Sequence, residues 1–272
     1  LQNMRVRNAK AISIDDSGNY YRFTRPTAMN SNDAETWLFW FKSSLTSTIQ
    51  YLFNTGAARD FYIDSSNRLT FFAGHSGTTG WWRTIGAFAS ADLRTEWIHV
   101  ALTYDGGSTS NIPKMFVNGS ELEVEVGVAP VGTLNQYTGL INIGDSTSSG
   151  FEGYMSDVAF YNIALRSEDI SYIYMNSTLD LKNHGPWRTR EGFGLYDRTG
   201  DVGLCTDNLI LWWRMGDDVE DTVSTIIDQM GNANLSAVGS PTIIGFEPGI
   251  DAGLLTADGN YALPDRDGSN SN

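Results

Sequence analysis

The stretch Trp97-Ile98-His99-Val100-Ala101-Leu102-Thr103-Tyr104-Asp105-Gly106 decides the fold class. It reads as a strand, in which successive side chains point to opposite faces. Trp97, His99, Ala101 and Thr103 then share one face, and Ile98, Val100, Leu102 and Tyr104 share the other. Asp105-Gly106-Gly107 ends the run with residues that tolerate turn geometry. Downstream, Asn118-Gly119 separates Lys114-Met115-Phe116-Val117 from Glu121-Leu122-Glu123-Val124-Glu125-Val126. An Asn-Gly pair accepts the two positive φ angles of a type I′ turn, which predicts a hairpin. Upstream, Trp37-Leu38-Phe39-Trp40-Phe41 is apolar on both faces, which predicts a central strand covered on both sides.

The rest of the chain has the same character. Short apolar runs lie at Ala11–Ile14, Tyr20–Thr24, Tyr51–Asn54, Phe61–Asp64, Leu69–Ala73, Leu140–Ile143 and Tyr154–Tyr161, with Gly, Asn, Asp and Ser between them. This spacing predicts an all-β sandwich or barrel. A single stretch reads as helix. Ser167 is placed to cap it, Glu168 and Asp169 fall in its first turn, and Ile170, Ile173 and Tyr174 share a face. Residues 183–206 are rich in Gly and charge and read as a connection. They are followed by a strand candidate at 207–215 and a turn-rich Asp228-Gln229-Met230-Gly231-Asn232-Ala233-Asn234. The expected organisation is a body over 1–182 and a linker with a β-rich C-terminal extension over 183–272.

Composition excludes several classes. With 18 Lys plus Arg against 32 Asp plus Glu, the chain carries −14, which argues against a nucleic-acid partner needing clustered cations. No apolar run approaches the ~20 residues of a membrane span. The single Cys205 excludes an internal disulfide. The first ten residues are polar and do not read as a signal peptide.

Trp97–Gly106 resembles the W-x-H-V-A-x-T-Y-D-G strand of laminin G-like modules, which belong to the concanavalin A-like lectin and glucanase superfamily. Further words follow in the family's order. Met115–Gly119 resembles its "YVNG" hairpin, and Ile141-Asn142-Ile143-Gly144 its "L-x-I-G" strand. Phe151–Asn162 resembles "F-x-G-x-I-D-E-V-x-I-Y-N", with Ser156-Asp157 where the family has an Asp-Glu pair. Ala164–Ile170 resembles "A-L-S-x-x-E-I", and Ile12–Tyr21 the family's opening. The resemblance covers about residues 10–178. It implies a jelly-roll β-sandwich of two antiparallel sheets and allows calcium at the sandwich rim, with no ligands assigned. Leu209–Asp217 with Asp228-x-x-Gly231-Asn232-x-Asn234 resembles a segment of structural virion proteins of tailed phages and of secreted bacterial laminin G-like repeats.

Four groups are candidates for chemistry. Trp81-Trp82, followed by Arg83, offers a sugar-stacking platform, because aromatic faces suit pyranose C–H groups while polar neighbours hold hydroxyls. The structural alternative turns one Trp into the core and covers the other; Trp212-Trp213 carries the same ambiguity. Glu121, Glu123 and Glu125 alternate on one strand, the pattern of glucanases that hold nucleophile and acid together. A solvated acidic face is the simpler reading. His99 reads as a hydrogen-bonded structural residue. His75 and His184 have no motif partners, and Gly74–Thr78 lacks the last Gly of a nucleophile elbow. Asp265–Asn270 is an incomplete calcium loop. Three N-x-S/T sequons, beginning at Asn118, Asn176 and Asn234, matter only in a eukaryotic secretory route.

These readings predict a non-enzymatic structural or binding module. It is expected as a homo-oligomer on a virion surface, partnered with phage capsid or other virion proteins, as in a capsid decoration protein. A secreted carbohydrate-binding module or adhesin for cell-surface glycans is the alternative, and a glucanase is third.

Overall fold

The computed structural model describes residues 10–14, 18–29, 33–44, 47–56, 58–144, 150–175, 208–216 and 218–245. In chain order the strands are β1 (Lys10–Ile14), β2 (Tyr20–Thr24), β3 (Ala34–Ser43), β4 (Gln50–Asn54), β5 (Arg59–Ile63), β6 (Leu69–Ala73) and β7 (Gly80–Thr84). After helix α1 (Ser90–Thr95) come β8 (Ile98–Asp105), β9 (Lys114–Val117), β10 (Ser120–Leu122), β11 (Val124–Val128), β12 (Leu140–Ile143) and β13 (Gly153–Tyr161). Helix α2 (Ser167–Met175), β14 (Leu209–Trp213), β15 (Thr225–Ile226), β16 (Leu235–Val238) and β17 (Thr242–Gly245) complete the order. One antiparallel sheet runs β10-β9-β8-β3-β13-β1-β17, with β14 also on β13. The other runs β11-β7-β6-β5-β4-β12-β2-β16-β15.

Inward side chains of both sheets form one cluster, as expected of a sandwich. Ile98, Val100, Leu102 and Tyr104 of β8 point into it, and so do Trp37, Phe39 and Phe41 of β3. Rings meet across the layers. Trp37 lies 4.5 Å from Phe53, and Tyr104 lies 5.4 Å from Phe71 and 5.3 Å from Trp82. Each such fully buried large side chain contributes roughly 1.5–3 kcal/mol of transfer free energy. A buried polar knot sits among them. Arg59 donates from Nε to Glu35 at 2.8 Å and from Nη1 to two backbone carbonyls, while Tyr137 donates to the other Glu35 oxygen.

The outward face of the first sheet is covered over β3, β8, β9 and the C-terminal half of β13. Leu38, Ala101, Phe116, Ala159 and Tyr161 pack against Leu165, Ile170, Ile173, Leu209 and Trp212. Trp40 and His99 lie beside Tyr174 of α2. This sealing is why β3 and β8 are apolar on both sides. Asn118 (φ 48°) and Gly119 (φ 76°) form the expected two-residue turn, with Val117 opposite Ser120. Gly119 meets Tyr174 so closely that a Cβ there would lie 2.9 Å from its ring.

Three local expectations change. Ser167 is the first residue of α2 but does not cap it. The Asp169 carboxylate, buried at the third helical position, accepts from the Arg166 N–H at 3.1 Å, one half of a capping box. Residues 121–126 are not one strand. The chain crosses between sheets at Glu123, so β10 pairs with β9 and β11 with β7. The turn-rich segment near Asp228 is a tight anchor. One carboxylate accepts from the N–H groups of Trp212, Met230, Asn232 and Ala233 at 2.8–3.0 Å. Asn234 accepts from the Asp228 N–H, and Asn232 donates to the Ile210 carbonyl. The anchor fixes β14 against β13, while β16 joins β2 and β17 joins β1.

Candidate functional site

The outward face of the second sheet differs from that of the first. Strand alternation places Tyr51 of β4, Tyr62 of β5, Phe72 of β6 and Trp81 of β7 on this face, each partly exposed. Trp81 is directly opposite Phe72, and Tyr51 directly opposite Tyr62. Phe72 and Tyr62 meet diagonally, within reach of large rings on neighbouring strands. Centroid separations along the row are 6.2 Å for Trp81–Phe72, 5.9 Å for Phe72–Tyr62 and 5.0 Å for Tyr62–Tyr51. The first two pairs are near-parallel, at 18° and 24°. The result is a continuous aromatic stripe across four adjacent strands.

Its end at Trp81 is built around a glycine. Trp82 pairs with Val126 and Trp81 with Val128, so Gly127 is the extra residue of a bulge in β11. A Cβ on Gly127 would lie 2.1 Å from the Trp81 ring. The bulge therefore gives the indole a bare backbone to rest on. The Arg83 guanidinium lies over the same ring, 5.3 Å from its centroid.

Charges line the margin. Arg83 donates to Glu125, and Arg68 reaches the same carboxylate oxygen at 3.5 Å. Arg68 also lies 3.5 Å from Asp64. Asp60 shares the outward face of β5 and accepts from the Thr55 N–H. Burial, then the neighbouring Tyr51, Asp64 and Asp60, push the Tyr62 phenol well above its ordinary range, against the opposing effect of Arg83. The phenol is therefore a neutral hydrogen-bond donor in a locally acidic setting.

The structure divides the residues singled out from sequence. Trp81 and Arg83 face outward at this site. Trp82 faces inward, is 1% exposed and packs against Phe71 and Tyr104, so it offers no face to a ligand. Trp212 and Trp213 are both buried. Trp212 donates to Asp157 and Trp213 to the Ala233 carbonyl. The residue in the family's acidic position thus holds the tail strand. Tyr51, Tyr62 and Phe72 were legible as strand residues but not as site residues. Their signal is an aromatic at the outward parity of three successive strands.

The three glutamates do not share one strand. Glu121 lies on β10 of the first sheet and Glu125 on β11 of the second. Burial opposes ionisation of Glu121, but hydrogen bonds from Ser167 and Lys114, with the Lys114 charge, hold its pKa below the usual carboxylate range. It is not a proton donor near neutrality. His99 is 1% exposed, and burial pushes its pKa down to about 3. Its Nδ1 has no hydrogen-bond partner among the described residues. His75 is buried, with Nδ1 at 3.0 Å from the Ala73 carbonyl. Among the described residues no group of three or more His, Cys, Asp or Glu is arranged to hold an ion, so no residue is assigned to the calcium that the resemblance allows. Asp265–Asn270, His184, Cys205 and Asp217 lie outside the described residues. No helix among the described residues is long and apolar enough to cross a membrane.

Comparison with solved structures places the fold. A protein of Bacteroides ovatus ATCC 8483, assigned as carbohydrate-binding, aligns with a TM-score of 0.60 at 16% identity, over 89% of this chain and 61% of its own. This chain thus spans about three fifths of that protein's length. A heptameric SAP-like pentraxin of Limulus polyphemus aligns at 0.48 and 16% identity, over 87% of this chain and 97% of its own. The CBM40 of Ruminococcus gnavus IT-sialidase, bound to α2,3 sialyllactose, aligns at 0.46 and 13% identity, over 60% of this chain and 96% of its own. No curated protein sequence matches the chain. A family model matches residues 15–171, from just after β1 into α2, and by that match the chain belongs to the concanavalin A-like lectin/glucanases superfamily, of laminin G type.

Proposed function

We propose that this chain is a non-enzymatic glycan-binding module whose ligand lies along Tyr51, Tyr62, Phe72 and Trp81. The observation that carries the reading is the stripe itself. Four partly exposed rings form a row on a face that no helix of the described chain covers, whereas on the opposite sheet Trp40, Tyr161 and Trp212 are buried under other elements and Tyr154 alone of the outward rings on β13 is partly exposed. Aromatic faces stack on the apolar faces of pyranoses, and neighbouring polar groups orient the hydroxyls. Arg83, Asp60 and the Tyr62 phenol supply donors and acceptors there. The placement of Glu121 and Glu125 on strands of different sheets supports binding without hydrolysis, because the single-strand carboxylate pair of a retaining glycosidase does not form between them.

Fold likeness to the Bacteroides ovatus protein agrees with this reading but does not identify the face. A glycan array tests it. Wild-type protein is expected to bind polysaccharides, and Phe72→Ala to lose about tenfold or more in affinity while remaining folded. Equal binding by the two proteins would remove the stripe from the site.

The setting we propose is a virion surface, with a secreted bacterial module as the alternative. The Trp212–Asp217 and Asp228–Asn234 words suggest it, and the charge of −14 would keep particles apart. A homo-oligomer there would present several stripes at once, multiplying weak affinities. Mass spectrometry of purified particles is expected to find the chain in stoichiometric copy number. Its absence would end the virion proposal and leave the glycan-binding one.

A further inference from the structure

The stripe carries two guanidiniums at its margin, and both are already engaged. Arg83 Nε and Arg68 Nη1 converge on one oxygen, Oε1 of Glu125. Glu125 sits on edge strand β11 directly opposite Arg83, with its side chain 39% exposed. Arginine forks recognise carboxylates well when free. Here the internal carboxylate already pairs with both cations through Arg83 Nε and Arg68 Nη1, so a uronic or sialic acid approaching their other N–H groups must compete with Glu125 for their charge. Glu125, together with Asp60 and Asp64, would then face the incoming anion. Arg22, exposed on β2, is two strands beyond the Tyr51 end of the stripe and does not offset them. The Tyr62 phenol is raised chiefly by burial, with smaller contributions from Tyr51 and from Asp64 and Asp60. Neutral hydroxyls meet no such barrier, since they can accept from the guanidinium and donate to the carboxylates in place. Four rings on strands about 4.8 Å apart span about 14 Å, which suits several consecutive sugars of a chain more than one terminal sugar.

Building on the glycan-binding reading, we propose that Glu125 is a specificity-determining residue that restricts the stripe to neutral polysaccharide by occupying Arg83 and Arg68. Specificity then comes from a built-in repulsion as much as from attraction.

Calorimetric titration of the full chain tests this. The neutral probes are cellohexaose, xylohexaose and mannohexaose; the acidic probes are hexagalacturonic acid and 3′-sialyllactose. Wild type is expected to bind at least one neutral hexamer, and the acidic probes about tenfold more weakly or not at all. Glu125→Gln keeps the shape and removes the charge. It is expected to shift the acidic-to-neutral affinity ratio by about tenfold or more toward the acidic probes. An unchanged ratio in Glu125→Gln, or wild-type preference for an acidic probe that Phe72→Ala abolishes, overturns the role of Glu125 and leaves the stripe as the site. Failure of wild type to bind either class removes the stripe reading and the role of Glu125 together.

Discussion

The two outward faces of this sandwich are both aromatic, but they differ in what lies over them. On the first sheet Trp40 is 3% exposed, flanked by His99 and Tyr174, and Trp212 is 2% exposed beside α2 and β13. On the second sheet Trp81 rests on a glycine bulge with Phe72 at its side and keeps part of its surface. An aromatic residue at an outward strand position therefore says little by itself. Its meaning depends on whether the chain returns to cover it. Among the described residues α2 returns over the first sheet, β14 extends that sheet beside β13, and none covers β4 to β7 of the second.

The same substitution on the two faces should have opposite consequences. Trp40→Ala removes a ring that is packed on all sides and is expected to cost about 3–5 kcal/mol, read as a large fall in the denaturation midpoint. Trp81→Ala removes a partly exposed ring and is expected to cost about 1 kcal/mol or less while weakening glycan binding severalfold. Equal stability losses at both positions would mean that the faces are not distinct.

Acid should act through the sealed face. Burial lowers the His99 pKa from 6.5 to about 3, so the unfolded chain binds a proton that the folded one refuses. The contribution is full above pH 6.5 and is lost as pH falls from 6.5 toward 3, by up to about 1.4 kcal/mol per pH unit. Melting temperatures between pH 7 and 4 should fall, and His99→Leu should flatten that fall. A variant with the wild-type slope would show that other groups dominate.

A more local effect sharpens the open face. Gly127→Ala puts a methyl group into the Trp81 ring, which must move. Stability should change by about 1–2 kcal/mol, with a change in tryptophan fluorescence and weaker glycan binding. Unchanged binding would detach the bulge from the site.

Much of the body was legible because its signals are local. Trp97–Asp105 alternates as a strand must, and Asn118-Gly119 is close to a complete instruction for its turn. The all-apolar Trp37–Phe41 requires cover on both faces; the second sheet provides it on the inside, and α2 with Trp212 on the outside. The Asp228–Asn234 segment was legible as a turn, but its role was not. That role depends on Trp212 N–H and the Ile210 carbonyl, partners brought close only in the fold. The split at Glu123 was illegible for a similar reason. Alternation is the same whether a strand stays in one sheet or passes to the other. Gly80–Thr84 carries its strand signal weakly, because the adjacent tryptophans read as a pair although period-two geometry turns them to opposite faces. The same parity in β4, β5 and β6 puts Tyr51, Tyr62 and Phe72 on the face of Trp81.

Hydroxyl-radical footprinting, with and without a bound neutral hexasaccharide, tests the central claim most directly. Without sugar, Tyr51, Tyr62, Phe72 and Trp81 should be modified while Trp40, Trp82 and Trp212 are spared; with sugar, the four stripe rings should become protected together. Protection that leaves the stripe untouched, or comparable labelling of Trp40 and Trp212 in the free protein, would contradict an open binding face on one sheet and a sealed one on the other.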